Sequence, residues 1–101
     1  MSRRQHMVSV SWLARELAAS PPPGALVIVD CRWYLDGRDG RSVFAEGHLP
    51  GARFVDLDHD LAGEVARGGA GGRHPLPTVE RFTETLSRLG VRRDSTVVAY
   101  D

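Results

Sequence analysis

The chain has one cysteine, Cys31, and a lone thiol is the first candidate for a nucleophile. It ends the apolar run Leu26-Val27-Ile28-Val29 after Asp30, and no conspicuous base stands beside it. A thiol in that setting packs as a small hydrophobe, so Cys31 is read as a core residue. Asp30 and Arg32 flank it and are expected to form a structural ion pair at the strand end. Asp56-Leu57-Asp58-His59-Asp60 begins like a calcium loop, but Leu61 stands where the turn glycine is needed and Arg67 where the closing glutamate belongs. No metal is assigned there. Gly68-Gly69-Ala70-Gly71-Gly72 lacks the Gly-Lys-Ser or Gly-Lys-Thr of a phosphate cradle and reads as flexible loop. Arg67 and Arg73 read as solvated loop cations.

Bulk composition narrows the classes of partner. The 13 basic residues, all arginine, balance 13 acidic ones, so no net field draws the chain to nucleic acid or an anionic membrane. No apolar run approaches bilayer length. The basic start leads into an amphipathic segment rather than the apolar core of a secretory signal. A single cysteine forms no internal disulfide and suits a reducing compartment, so a cytoplasmic location is expected.

The elements that would position these residues follow from local pattern. Ser9 is placed as the cap of a helix through VSWLARELAA, with Trp12, Leu13, Ala14 and Leu17 on its apolar face. Pro21-Pro22-Pro23 ends it. Leu26 to Cys31 has the length and continuous apolarity of a parallel strand covered on both faces. A turn at Asp36 to Gly40 precedes a short helix over Ser42–Glu46. Pro50-Gly51 turns the chain into a short strand near Arg53–Val55. Residues 63–77 read as loop. Thr78 caps a helix presenting Val79, Phe82, Leu86 and Leu89, Gly90 stops it, and Thr96–Tyr100 forms a last strand. Alternating helices and strands predict an α/β fold with a parallel sheet. Three strands are too few for a finished sheet of that kind, so an incomplete domain is expected.

Phe44-Ala45-Glu46-Gly47-His48-Leu49-Pro50-Gly51-Ala52-Arg53-Phe54-Val55 carries the most specific pattern. Phe44, His48, Leu49, Pro50, Gly51 and Ala52, followed by an apolar residue, match the rhodanese (sulfurtransferase) signature. Trp12-Leu13, Asp30-Cys31-Arg32-Trp33-Tyr34-Leu35, Phe54-Val55-Asp56-Leu57-Asp58, His74-Pro75-Leu76-Pro77 and Val97 to Asp101 continue the likeness in one register. From about residue 8 to its end, the sequence resembles the amino-terminal domain of the two-domain thiosulfate and 3-mercaptopyruvate sulfurtransferases. Residues 1–7 read as a tail, disordered or foreign to the natural chain.

The resemblance implies a rhodanese-like sheet flanked by helices, stopping at the strand before the reactive loop. In that family the reactive cysteine follows this strand and carries sulfane sulfur as a persulfide. The matching position here is Asp101, which cannot carry it, as expected of the non-catalytic amino-terminal domain. No catalytic residue is therefore expected within residues 8–101, and the persulfide cysteine is expected in a second rhodanese domain. His74, oriented by Asp58, is the supporting relay that the resemblance suggests; a solvated His74 beside a turn-forming Asp58 is the plainer alternative. His48 is read as a packed histidine with a local hydrogen bond. The implied partners are a sulfur-donor anion, a thiol or cyanide acceptor and the second domain, with no cofactor and no metal. Self-association of an incomplete domain is also expected. A binding or regulatory module of the same fold, with no catalytic cysteine, is the alternative function.

Overall fold

The computed structural model describes residues 7–63 and 75–101. Helix α1 (Val10–Ala18) starts at Ser9, whose backbone is extended and whose hydroxyl oxygen accepts the N–H of Trp12 at 3.0 Å. Leu13 is buried, Trp12 and Leu17 are half-buried, and Ala14 is exposed, so the packed stripe is narrower than the sequence pattern suggests. Strand β1 (Leu26–Asp30) follows the prolines.

Helix α2 (Gly40–Glu46) begins two residues before the expected Ser42. The cause is Asp39, which accepts the Arg41 N–H at 3.3 Å and the Ser42 hydroxyl at 2.9 Å and so caps the helix from outside. Strand β2 (Arg53–Phe54) is short, and the unexpected one-turn helix α3 (Leu57–Asp60) follows it. Asp56 nucleates α3 by accepting the N–H groups of Asp58 at 2.9 Å and His59 at 3.3 Å. Helix α4 (Val79–Arg88) is capped by Thr78, and just past its end Gly90 takes φ +81°. Strand β3 (Thr96–Tyr100) closes the chain.

The three strands form one parallel sheet in the order β2-β1-β3. In register, Asp30 lies beside Phe54 on one side and Tyr100 on the other. Alternation along β1 divides its side chains between two cores. Ile28 packs with Leu13 and Ala52 on the α1 side, joined by Phe44, Val98 and Tyr100. Val27 and Val29 pack with Val55 and Leu89 on the α4 side, joined by Cys31.

Helix α4 departs from the expected face. Thr85 and Leu89 are buried, whereas Val79 is 77% exposed and Phe82 41% exposed. The helix is held mainly through its carboxyl half. The Thr85 hydroxyl donates to the Asp60 carbonyl at 3.2 Å, and Arg88 pairs with Asp60 at 2.7 Å. Strand β3 is also half open: Val97 is 45% exposed although its register partner Val27 is buried. Among the described residues no helix is long and apolar enough to cross a membrane.

Candidate functional site

The carboxyl ends of β1 and β3 meet around Asp30, whose side chain is wholly buried. Apolar neighbours alone would make an ionised carboxylate costly there. Its two oxygens are instead filled by donors. The Arg32 backbone N–H donates at 2.9 Å, Arg32 Nε donates at 3.1 Å to Oδ1 and 2.9 Å to Oδ2, and Arg32 Nη2 lies 2.7 Å from Oδ2. The Tyr100 hydroxyl donates to Oδ2 at 2.9 Å. Burial pushes the Asp30 carboxyl up, but the hydrogen bonds from Arg32 and Tyr100 outweigh it and hold the group below its ordinary value. The pair with Asp30 raises Arg32 further, and burial beside this carboxylate raises the Tyr100 phenol despite the Leu49 N–H bonded to it.

This buried pair reaches the turn that carries the family-like signature. Arg32 Nη2 donates to the Gly47 carbonyl at 2.6 Å, and the Leu49 N–H donates to the Tyr100 hydroxyl oxygen at 3.1 Å. Gly51 occupies φ +75° in the Pro50-Gly51 turn, and Ala52 is buried against the sheet. His48 Nδ1 lies 2.7 Å from the Phe44 carbonyl, and its ring stacks on Phe44 at 3.7 Å with 5° between planes. Phe44, His48, Leu49, Gly51 and Ala52 therefore cluster on the Asp30 side of β1, with His48 itself exposed. Tyr100 was not singled out from sequence. A phenol at the end of one strand and a carboxylate at the end of another were the only available signal.

A cleft of about 100 Å³ opens at the ends of β1 and β2 between Arg32, Trp33, Phe54, Asp56 and Asp58. Ligands of open parallel sheets sit at strand carboxyl ends of this kind. Asp58 is exposed on α3 and accepts the Trp33 indole N–H at 3.2 Å. His74, the residue paired with Asp58 in the sequence reading, lies outside the described residues, as do Arg67, Arg73, Gly68–Gly72 and residues 1–6. No group of three or more His, Cys, Asp or Glu residues arranged to hold a metal ion occurs among the described residues.

Cys31 is half-buried against the Val27, Val29, Val55 and Leu89 core, and its backbone N–H donates to the Tyr100 carbonyl at 2.8 Å. Burial pushes its thiol pKa up, and the carboxylates of Asp30 and Asp101 push it further the same way. A nucleophilic cysteine needs the opposite environment. Asp101 is exposed immediately beyond the end of β3.

The chain is 40% identical over 100 residues to the "Putative thiosulfate sulfurtransferase SseB" of Mycobacterium tuberculosis, covering 99% of this chain and 34% of the relative. It is 45% identical over 89 residues to the "Probable 3-mercaptopyruvate sulfurtransferase" of Pseudomonas aeruginosa, covering 87% of this chain and 31% of the relative. It is 39% identical over 97 residues to the human 3-mercaptopyruvate sulfurtransferase, covering 94% and 31%. The chain thus spans about a third of the length of the curated relatives it matches. No family model matches it.

Proposed function

The chain belongs to the family of thiosulfate and 3-mercaptopyruvate sulfurtransferases, the rhodaneses, and from that membership we propose that it forms the non-catalytic, amino-terminal part of such an enzyme. The cysteine that carries sulfur belongs to a second rhodanese domain outside the chain. Its thiolate attacks the outer sulfur of thiosulfate, the S–S bond breaks, and sulfite leaves with the bonding electrons. With 3-mercaptopyruvate the C–S bond breaks instead, and the carbon fragment takes up the thiol proton to leave as pyruvate. Either route leaves a cysteine persulfide. Cyanide or an acceptor thiolate then attacks the outer sulfur and regenerates the thiolate.

The observation that carries this reading is the environment of Cys31. The chain's one thiol is partly withdrawn into the core, and burial together with the charges of Asp30 and Asp101 disfavours its ionisation. The position that follows β3 is Asp101, whose carboxylate has no sulfur to exchange. In this reading Asp58 and His74 support the catalytic domain from its neighbour. A carboxylate beside an imidazole fixes its tautomer and raises its basicity. The reaction belongs to the cytoplasm, where a lone thiol stays reduced. When alone, the chain associates with copies of itself through the open side of β3.

Intact mass before and after incubation with thiosulfate or 3-mercaptopyruvate tests the reading. The 101-residue chain is expected to gain nothing, whereas a two-domain relative gains one sulfur. A sulfur gained by the short chain and lost in Cys31→Ser would place the reactive thiol at Cys31 and overturn it.

A further inference from the structure

Asp30 is a buried, ionised side chain that takes no part in the sulfur chemistry proposed above. Its partners trace a continuous chain of hydrogen bonds: Gly47 carbonyl, Arg32 guanidinium, Asp30 carboxylate, Tyr100 hydroxyl, Leu49 N–H. Both ends of that chain lie in the same turn. We propose that Tyr100 is a positioning residue, whose hydroxyl, oriented by Asp30, locks the Gly47–Gly51 turn to the exit of β3 so that the two move as one body.

Three observations carry the inference. First, the turn's backbone bonds are those of the Gly47 N–H to the Val43 and Phe44 carbonyls at 3.2 Å and of the Ala52 N–H to the Leu49 carbonyl at 3.0 Å, and the Leu49 N–H goes instead to Tyr100. Second, the phenol is used in both directions. It donates to a carboxylate held by a guanidinium and accepts from an amide, so its orientation is fixed at both lone-pair and proton. Third, Tyr100 cannot shift alone. Its carbonyl receives the Cys31 N–H at 2.8 Å, and its backbone is in register with Asp30. A displacement of the chain beyond residue 100 therefore reaches Leu49 through the one hydrogen bond from its N–H to the Tyr100 hydroxyl, or breaks it.

The test is site-resolved amide hydrogen exchange on the 101-residue chain and its Tyr100→Phe variant, which removes one oxygen and keeps the ring. Leu49 protection is expected to fall by about tenfold or more beyond any change at the reference amides of Val27 and Val29. A fall that merely parallels those references, or none, overturns the proposal. Replacing Tyr100 by 3-fluorotyrosine provides a second reading with the shape retained. A more acidic phenol should move the Leu49 amide resonance while leaving that of Leu89, on the other face, in place. An unmoved Leu49 resonance refutes the lock even if Tyr100→Phe fails to fold.

Discussion

The hydroxyl of Tyr100 donates to Oδ2 of Asp30 at 2.9 Å, joining residues 70 positions apart in sequence. The bond exists because β1 and β3 are parallel neighbours whose register sets Asp30 directly beside Tyr100. On that same face lie the apolar neighbours Ile28 and Val98, so the polar pair follows directly on an apolar one. A carboxylate there is tolerable only while its donors stay in place, since removing one partner of a buried pair leaves an uncompensated charge.

Acid stability should reveal this carboxylate. The folded-state pKa of Asp30 is held below its ordinary value of 3.8, so near that pH the unfolded chain binds more protons than the folded one. Its stabilising contribution is therefore complete above 3.8 and is lost as pH falls through the lower folded value. Asp30→Asn is expected to flatten this part of the acid limb and to cost about 1.5–3 kcal/mol at neutral pH, the worth of hydrogen bonds to a charged group. Urea titrations from neutral pH downward measure both. An acid limb identical to that of the parent would rule out Asp30 as its source.

Cys31 should be a poor nucleophile. Burial and the nearby carboxylates of Asp30 and Asp101 raise its pKa, leaving less thiolate at neutral pH than in a free cysteine. Alkylation by iodoacetamide should be several-fold slower in the folded chain than in the same chain in denaturant. Alkylation of the folded chain at the denatured rate would show the thiol to be neither shielded nor depressed in acidity.

Two glycines separate backbone strain from close packing. At Gly51 a Cβ would meet nothing within 4 Å, so Gly51→Ala carries only the cost of φ +75°, about 1–2 kcal/mol. At Gly40 a Cβ would lie 2.7 Å from the Arg32 carbonyl oxygen and 3.3 Å from the Phe54 ring. Gly40→Ala must push apart the segment that holds the Asp30 pair and is expected to cost about 1–3 kcal/mol. The discriminating measurement is the Arg32 Nε resonance, which should shift in Gly40→Ala and stay fixed in Gly51→Ala.

The open side of β3 predicts association of the isolated chain. Its five residues, Thr96–Tyr100, carry no charge and no proline to discourage edge pairing, and Val97 is 45% exposed. Light scattering should give a mass that rises with concentration, and Val97→Arg should lower it. A monomer independent of concentration would remove this expectation.

Much of the architecture was legible locally. Three consecutive prolines, the Ser9 and Thr78 caps, the apolar run of β1 and the Pro50-Gly51 turn specify hydrogen-bond patterns among near neighbours, and the structure places elements there. Helix α3 escaped notice because a single turn contains too few residues to show a period; its signal was the cap at Asp56. The face of α4 was misread for a different reason. Val79, Phe82, Leu86 and Leu89 recur at helical spacing, but the pattern does not say which part of the helix meets the sheet. In the fold the carboxyl half does, anchored by Asp60, and Thr85 takes a buried place while Val79 and Phe82 do not.

For the candidate site, three features could be read directly from residue order: the family-like turn from Phe44 to Ala52, the strand end at Asp30-Cys31-Arg32, and an aspartate after the last strand. These are matters of residue type and short spacing. The full burial of Asp30, its hydrogen bond from Tyr100 and the bond from the Leu49 N–H to that same hydroxyl arise from the three-dimensional packing. The reason is physical. A parallel neighbour is brought alongside by a long crossover, so its register is set by the packing of both sheet faces and leaves no mark in any short stretch of sequence.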